Sequence, residues 1–331
     1  MKLRNKMILG IESTAHTFGI GIVNNGKILC NLKSSYTTKA GGIIPRDAAK
    51  HHAECAERIF TDSLKEAKIK KEEIDAIAFS NSPGLPPCLL EGMKFAKKKS
   101  KELKIPLIPV NHCVAHLEIG KINGAKDPVL LYVSGANTQI VTYSNKRYRI
   151  FGETLDIGVG NFIDNFARFI GLGFPGGPKI QKLAEKGKYI ELPYSLKGMD
   201  FNFSGILTNL KQKFKKGIKK EDLAYSLQET AFSMLIEGAE RALAYTGKNE
   251  LVLGGGVACN SRLQEMCKIM CKERGAKFFC PENNLLQDNG SMIAYTGELL
   301  FNNKNYIKLE NINSVDIAPR QRTDDVEIKY K

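Results

Sequence analysis

Two histidines four residues apart have the spacing of a metal site. His112 and His116 stand in the segment IPVNHCVAHLEIG, in a chain with only five histidines. If this segment is a helix capped by Asn111, both rings project from one face about one turn apart, close enough to share a metal ion. The next ligand must then come from elsewhere, as an aspartate, a tyrosine or another histidine. Asp288, in a loop before an apolar helix, is a candidate.

The histidine pair does not match the zinc peptidase signature. Cys113 occupies the position at which the HExxH pattern carries a glutamate that activates water. A peptidase mechanism would lack that base. A metallopeptidase therefore stays an alternative, although the glutamate base of the HExxH pattern is missing.

Three glycine-rich loops indicate a site for a phosphate or a nucleotide. They are LVLGGGVACN (251–260), VSGANTQ (133–139) and GFPGGP (173–178). Glycines let a ligand approach the backbone, and a helix N-terminus, marked in the first loop by Asn260, favours an anion. Each loop alone is most often an ordinary turn, but three in one chain favour a bound nucleotide. The P-loop pattern GxxxxGK[ST] is absent from the sequence.

An acidic segment, DIGVGNFIDNFAR (156–168), offers carboxylates for the same ligand. On a helix, Asp164 and Arg168 form an i,i+4 pair. The ordinary interpretation is a surface salt bridge. The functional interpretation is a carboxylate that binds ribose hydroxyls.

The charge balance points to a polyanionic partner. Lys and Arg exceed Asp and Glu by 14, which is typical of nucleic-acid-binding proteins, although a lysine-rich composition alone gives the same sign. Two clusters, KFAKKKSKELK (94–104) and LKQKFKKGIKK (210–220), contain six lysines each. Solvated helix faces are the ordinary interpretation of both clusters, and an RNA-backbone track is the functional one.

Length and composition limit the class of protein. The chain has 331 residues, 43% of them apolar and 25% charged, which predicts a globular protein of about two domains. No apolar run approaches the roughly 18 residues of a membrane span, and the N-terminus does not resemble a secretory signal. Eight cysteines without a CxxC pair favour a reducing cytoplasm.

The elements that position these residues follow a repeated pattern. A strand, a tight turn, a second strand, a short turn and a third strand occur twice, about 120 residues apart. This duplication predicts an α/β protein of two alike lobes with a central cleft that holds the ligand. The predicted strands are 7–13, 19–23, 27–35, 129–135, 138–144 and 147–153, and the predicted helices are 46–68, 222–245 and 260–274.

Together these motifs resemble the universal tRNA threonylcarbamoyltransferase family, the catalytic subunit of the archaeal and eukaryotic KEOPS complex. The resemblance covers nearly the whole chain, and NHCVAH is the archaeal and eukaryotic form. The blocks that carry it are ILGIESTAHTFGIGI (8–22), GGIIPRDAAKHH (41–52), VNHCVAHLEIG (110–120), LYVSGANTQ (131–139), GETLDIGVGN (152–161), LGGGVACNSRLQEM (253–266) and DNGSMIAYTG (288–297).

The resemblance implies an actin-like ATPase fold with two duplicated lobes. Lobe I would comprise residues 1–125 with the histidine helix, and the C-terminal segment 295–331 would pack back on it. Lobe II would comprise residues 126–294 with the nucleotide loops. The implied reaction moves a threonylcarbamoyl group from threonylcarbamoyl-adenylate to the exocyclic amine of the adenosine 3′ of the anticodon, in tRNAs that read ANN codons.

The resemblance also implies site residues. One divalent metal per subunit, iron(II) first, with zinc or magnesium as alternatives, would be bound by His112, His116, Tyr132 and Asp288. Of these, His112, His116 and Asp288 would be catalytic. Threonylcarbamoyl-adenylate or an adenine nucleotide would be held by Tyr132, Val133, Ser134, Gly135, Ala136, Asp164, Gly177, Gln181 and Asn260. Two of these positions depart from the family pattern, because Gln181 stands in place of a glutamate and Ala136 in place of a glycine.

The implied partners are tRNA, the KEOPS kinase subunit and small accessory subunits as separate chains, with no membrane. Three alternatives stay open: a sugar or acetate kinase of the same superfamily, the metallopeptidase, and a non-enzymatic scaffold for a partner kinase. The histidine pair has no role in a kinase, and the presence of all four expected metal ligands argues against a scaffold.

Overall fold

A computed structural model describes residues 6–37 and 43–330, and these residues form two compact units. Unit 1 consists of the described parts of Met1–Ile122, Asn145–Tyr148 and Gln287–Lys331, and unit 2 of Asn123–Ser144 and Arg149–Leu286. Residues 287–294, assigned to lobe II on sequence, thus group with unit 1. The first two glycines of the GGIIPRDAAKHH block lie outside the described residues.

The described residues form twelve strands and ten helices, besides short 3₁₀ turns. The strands are β1 (Met7–Glu12), β2 (Thr17–Asn24), β3 (Lys27–Ser35), β4 (Ala76–Ser82), β5 (Leu107–Asn111), β6 (Val129–Val133), β7 (Thr138–Ser144), β8 (Arg147–Glu153), β9 (Leu196–Lys197), β10 (Asp200–Phe201), β11 (Glu250–Gly254) and β12 (Lys277–Phe279). The helices are α1 (Pro45–Ala67), α2 (Pro86–Leu103), α3 (His112–Ile119), α4 (Val159–Phe169), α5 (Gly177–Ala184), α6 (Ser204–Lys215), α7 (Lys220–Thr246), α8 (Ser261–Glu273), α9 (Asn283–Leu286) and α10 (Gly290–Asn302).

The two units contain sheets of the same topology. The strand order is β3-β2-β1-β4-β5 in unit 1 and β8-β7-β6-β11-β12 in unit 2. In each sheet the central strand, β1 or β6, pairs antiparallel with the strand that follows it in the chain and parallel with the strand on its other side. The duplication predicted from the repeated pattern is therefore confirmed.

Local signals account for most element boundaries. The hairpin between β2 and β3 turns at Asn25 and Gly26, whose φ angles of 49° and 73° suit a two-residue turn with both angles positive. The Asn260 side chain accepts hydrogen bonds from the backbone of Arg262 and Leu263 and caps α8. Gly275, with φ of 66°, follows the end of that helix.

Each unit has its own apolar core. In unit 1, side chains of the sheet such as Ile11 and Phe79 pack with Phe60 of α1 and Phe95 of α2. In unit 2, α7 has buried residues along most of its length and packs with the sheet and with α5, α6 and α8. These cores hold the strand ends that carry the candidate site residues.

Helix α10 packs so closely against the sheet of unit 1 that backbone atoms of the helix and the strands are in contact. A Cβ atom added at Gly10 would overlap the backbone of Ala294, and one added at Gly21 would overlap the backbone of Ser291. A Cβ atom at Gly290 would in turn overlap the backbone of Gly21. Because these three glycines have no side chains, the helix can approach the sheet this closely. The contact fixes the position of the chain segment just before α10.

The eight cysteines are all free thiols, six of them buried. Among the described residues there is no helix long and apolar enough to span a membrane. A cytoplasmic location stays a prediction.

Candidate functional site

Unit 1 brings together two histidines and an aspartate. His112 and His116 lie on α3, whose first turn is capped by Asn111 through a 3.1 Å hydrogen bond from the backbone N–H of Val114. The two rings are 4.7 Å apart between centroids. Asp288 Oδ1, just before α10, lies 3.2 Å from His116 Nε2 and 3.5 Å from His112 Nε2. The helix and cap predicted from the sequence are thus confirmed.

A buried glutamate contacts His112 on the side of the ring that faces away from Asp288. Glu12, at the end of β1, is fully buried, and its Oε2 lies 3.0 Å from His112 Nδ1. Its other oxygen accepts hydrogen bonds from the backbone N–H, at 2.7 Å, and the hydroxyl of Thr14. With Nδ1 bound to Glu12, the Nε2 atom of His112 is the one that faces Asp288.

The charges in this cluster shift the pKa values of its members. Burial of the His112 ring opposes protonation, but the Glu12 and Asp288 carboxylates outweigh it and raise the pKa of His112 to about 9. Burial lowers the pKa of His116. Burial of Asp288 favours its protonated form, yet the two rings outweigh that effect and hold its pKa well below the usual range. The site is built to keep Asp288 ionised.

The donor set suits a divalent transition metal. The ligand atoms of His112, His116 and Asp288 all lie within 4.8 Å of one another, and they form the one such group of three or more His, Cys, Asp or Glu residues in the described part of the chain. Imidazole and carboxylate ligands suit iron and zinc, and a histidine that donates its other N–H to a carboxylate is typical of metal sites. Asp288 is 25% exposed, so the cluster stays open on that side.

Glu12 is the residue that the sequence interpretation missed. It is the only charged residue in the apolar segment MILGIES. A charge inside a buried strand requires a partner, because an unpaired buried carboxylate is costly. That signal could have marked Glu12 as part of a site, although not which histidine it would contact.

The predicted adenylate residues lie in unit 2, beginning with the turn after β6. Ser134 closes this turn, since its backbone N–H donates to the Asn137 carbonyl at 2.8 Å. Its carbonyl accepts from the backbone N–H of Gly160, and the Gly135 carbonyl accepts from that of Asn161, so the turn rests on the start of α4. Beside the turn, Gly255 has φ of 93°, and a Cβ atom there would overlap the Val133 carbonyl.

Tyr132 and Val133 end β6 and are buried, and Ala136 is in the turn itself. The backbone of Ala136 is in close contact with Gly158, the residue before α4, where an added Cβ would overlap the Ala136 carbonyl. Tyr132 belongs to unit 2, whereas the histidines belong to unit 1. Its role as a metal ligand stays a prediction.

Asp164 joins α4 to the third glycine-rich loop. Its Oδ1 accepts a 2.7 Å hydrogen bond from the backbone N–H of Gly176, and Gly177 then begins α5. Burial raises the pKa of the Asp164 carboxyl. The predicted Asp164–Arg168 ion pair does not form within this described segment, because the Arg168 guanidinium donates to Asn165 at 2.7 Å. The carboxylate faces the loop instead.

Gln181 of α5 contacts the residue that follows Asn260 in the chain. The Gln181 amide donates to the Ser261 hydroxyl at 2.8 Å, and Ser261 directly follows Asn260 in the chain. The Asn260 amide donates to Gln228 of α7 at 2.7 Å while its oxygen caps α8. Gly177 has no atom within 4 Å of the place where a Cβ would stand, so space is left beside the start of α5.

Comparison with known proteins identifies the family to which the chain belongs. A family model described as tRNA N6-adenosine threonylcarbamoyltransferase matches residues 27–295. The chain belongs to this family. It is therefore a transferase, and the α/β fold with two matching sheets is that of the actin-like ATPase superfamily.

Curated relatives of that name match almost the whole chain. The protein from Thermococcus sibiricus is 55% identical over 324 residues, covering 97% of this chain and 99% of the relative. A probable bifunctional tRNA threonylcarbamoyladenosine biosynthesis protein from Methanosarcina barkeri is 51% identical over 333 residues, which is 99% of this chain but 60% of that longer protein. Both relatives come from archaea.

Solved structures agree on the fold alone. Full-length HypF in a phosphate- and nucleotide-bound form aligns with a TM-score of 0.62 at 16% identity, over 89% of this chain and 46% of HypF. Component A of (R)-2-hydroxyglutaryl-CoA dehydratase from Acidaminococcus fermentans aligns with a TM-score of 0.55 at 13% identity, over 88% of this chain and 98% of that protein.

Proposed function

We propose that the chain transfers the threonylcarbamoyl group of threonylcarbamoyl-adenylate to the exocyclic amine of the adenosine 3′ of the anticodon, in tRNAs that read ANN codons. Family membership supports threonylcarbamoyl transfer to tRNA. The observation that carries the proposal is the cluster of His112, His116 and Asp288 with Glu12 behind it. A kinase of this fold would have no use for such a cluster.

In the proposed reaction, the adenosine amine attacks the carbonyl carbon of the donor, which is a mixed anhydride. An N–C bond forms, the bond between that carbon and the phosphate oxygen breaks, AMP leaves with the electron pair, and the amine loses a proton. Because phosphate is a good leaving group, no covalent enzyme nucleophile is needed. The protein supplies position and electrostatic stabilisation.

His112, His116 and Asp288 would hold one divalent cation, iron(II) first, with zinc or magnesium as alternatives, and Tyr132 would complete the ligand set. The cation would supply Lewis-acid polarisation of the donor carbonyl and a fixed orientation for it. Because Glu12 binds His112 Nδ1, Nε2 is the ring nitrogen that would bind the cation, and binding would release the proton that the raised pKa of His112 keeps on the ring.

The loops of unit 2 would hold the adenylate. The turn from Val133 to Ala136 would contact the phosphate through its backbone. Gly177 would line the site at the start of α5, where the backbone N–H of Gly176 already donates to the Asp164 carboxylate. Gln181 and Asn260, together beside the first turn of α8, would contact the nucleoside. We propose that the transferase works within KEOPS, with the kinase and accessory subunits as separate chains in the cytoplasm.

The test is transfer of label from threonylcarbamoyl-adenylate to an unmodified cognate tRNA transcript, with and without the kinase and accessory subunits. His112→Ala and His116→Ala should each lower transfer by more than about 100-fold, since loss of a metal ligand costs more than the 10–100-fold typical of its outer partners. His51→Ala is the matched control, because His51 contacts Ser34 in the same unit, away from the cluster. It should leave transfer unchanged.

The outcomes separate the alternatives. Full activity of His112→Ala would overturn the metal role. Absence of transfer by the wild type in every mixture, with adenylate binding intact, would favour the scaffold. Phosphorylation of a small substrate would favour a kinase, and chelator-sensitive cleavage of a protein would favour a peptidase.

A further inference from the structure

Unit 2 contains a tyrosine-lined pocket that includes none of the predicted adenylate residues. Its volume is about 310 Å³, and its walls are formed by the loop after α5 and one face of α7. This volume falls at the lower end of the range of small-ligand pockets. The lining residues are Tyr189, Tyr194, Tyr225, Glu229, Thr230 and Ser233.

The loop that carries two of these tyrosines is anchored to α7. The backbone N–H of Lys188 donates to Asp222 at 2.8 Å, and that of Ile190 donates to the Ser226 hydroxyl at 2.7 Å. Tyr189 and Tyr194 are nevertheless 56% and 50% exposed. Two aromatic rings are thus held on an anchored loop and left open to solvent.

The polar lining is buried or paired within unit 2. The buried Thr230 hydroxyl, in a residue 3% exposed, has no hydrogen-bond partner. Glu229 forms a bidentate ion pair with Arg262, whose Nε and Nη2 atoms each lie 2.8 Å from one carboxylate oxygen. This pair neutralises the Glu229 carboxylate. The Tyr194 hydroxyl donates to Glu237, which is itself paired with Arg241, so the pocket presents aromatic faces rather than a net negative charge.

Exposed lysines lie near one end of the pocket, two of them on a loop that also exposes Glu185 and Glu191. Lys219 and Lys220 are exposed at the start of α7, and helical periodicity places Lys219, but not Lys220, on the face of α7 that lines the pocket. Lys186 and Lys188 are exposed on the loop. Within the described residues, no carboxylate lies within 4.0 Å of these four ammonium groups. We call them the lysine rim.

The other lysine cluster has a different environment. Lys98 and Lys99 on α2 are both paired with Glu57 of α1, and Lys94 is paired with Glu91. Lys97 donates to the Val315 carbonyl. The cluster at 94–104 is thus largely engaged in contacts within unit 1, whereas the lysine rim of unit 2 is available for an external anion.

We infer that the tyrosine pocket and the lysine rim form a site for single-stranded RNA. One unstacked nucleobase enters the pocket against the tyrosine rings, and the flanking phosphates lie on the rim. Stacking on aromatic side chains beside a basic border is how proteins bind unpaired RNA. The inference rests on the proposed function, since an unpaired loop of the tRNA supplies the strand.

The test measures binding of a fluorescent single-stranded RNA octamer, a duplex of equal length and an unmodified tRNA transcript to the full chain at several salt concentrations. Tyr189→Ala should weaken single-strand binding about 5–100-fold, the range expected when one base no longer stacks on an aromatic ring. Tyr189→Phe should stay within about twofold of the wild type, because it keeps the ring. Duplex binding should not change with either variant.

A second variant set removes charge. Replacing Lys186, Lys188, Lys219 and Lys220 by Gln should reduce the slope of log affinity against log salt by about 0.7 for each RNA phosphate that these lysines neutralise. The matched control replaces Lys94, Lys97, Lys98 and Lys101 by Gln. Its slope should equal that of the wild type, although the net charge changes equally.

Three results would overturn the inference. The first is equal single-strand binding by Tyr189→Ala and the wild type. The second is an equal decrease of slope in both lysine sets. The third is a Tyr189→Ala variant that binds RNA normally but no longer binds the kinase subunit, which would make the pocket a protein interface. RNA binding is measured without turnover, so the two proposals can fail separately. If the variants bind RNA as expected but the wild type transfers no label, only the proposed function is contradicted.

Discussion

Glu12 and His112 are one hundred residues apart in the chain, yet Oε2 of the first lies 3.0 Å from Nδ1 of the second. This contact ties the end of the central strand β1 to the first residue of α3. It determines which ring nitrogen of His112 faces Asp288. The carboxylate would therefore influence the proposed metal site without being one of its ligands.

Glu12→Gln should weaken metal binding about 10–100-fold, since an amide neither balances the charge of the ring nor selects its tautomer as strongly. Competition between the purified protein and a chelator for cobalt(II) or iron(II) measures this loss. Glu91→Gln is the control, because Glu91 makes only a surface pair with Lys94. Equal metal affinity in all three proteins would contradict the role assigned to Glu12.

Gly21→Ala should destabilise unit 1 by about 3 kcal/mol, at the upper end of the cost of overpacking, because the new methyl overlaps the backbone of α10. Gly205→Ala is the matched change in α6, where no atom lies within 4 Å of the added methyl. It should be neutral or stabilising by up to about 1 kcal/mol. Denaturant unfolding compares the two, and a neutral Gly21→Ala would show that α10 is free to shift.

Lys121→Met should cost about 3 kcal/mol of unfolding free energy. Lys121 and Glu118 form an ion pair at the end of α3 with 9% and 3% of their side chains exposed, and Tyr330 donates to the same carboxylate at 3.0 Å. Removing the ammonium leaves a buried charge without its counterion. The double variant Glu118→Leu, Lys121→Met should recover much of the loss, and a double variant that is less stable than the single one would refute this explanation.

Asp156→Ala should cost about 1 kcal/mol at pH 7, the usual cost of losing a helix N-terminal cap. The Asp156 carboxylate accepts from the backbone N–H groups of Phe203 and Ser204 at 3.0 and 2.9 Å, at the start of α6. Burial opposes ionisation of Asp156, but these bonds outweigh it and lower its pKa.

A lowered pKa stabilises the fold above the ordinary aspartate value of about 3.9, and this contribution is lost as the pH falls further. The gap in unfolding free energy between the wild type and Asp156→Ala should therefore be constant from pH 7 to about pH 5 and shrink below pH 4. A gap independent of pH would show that the carboxylate charge has no part in the cap.

Local patterns made much of the fold predictable. The alternating strands, the Asn-Asn-Gly turn, the Asn260 cap and the i,i+4 histidines each depend on neighbours within a few residues. The repeated strand pattern revealed the duplication because the same local signals occur in both units. These features follow from hydrophobic periodicity and capping alone.

Such local patterns cannot predict contacts between residues that are far apart in the chain. Asp288 was a candidate from its place in a loop before an apolar helix, and the resemblance implied that it is a ligand. Spacing could not indicate this, because 172 residues separate Asp288 from His116. The pairing of Lys98 with Glu57 depends on how α1 and α2 pack, which neither segment reveals by itself. The tyrosine pocket forms only when the loop after α5 is anchored to α7.

The close contact of α10 with Gly10 and Gly21 has a consequence for synthesis on the ribosome. The strands of unit 1 emerge first, but the helix that covers one face of their sheet, and the aspartate just before it, emerge only after all of unit 2. The nascent chain must therefore carry an uncovered sheet face through most of translation, a state prone to aggregation. A premature stop before residue 288 would leave both histidines in place but remove Asp288, and with it the cluster proposed to bind the metal.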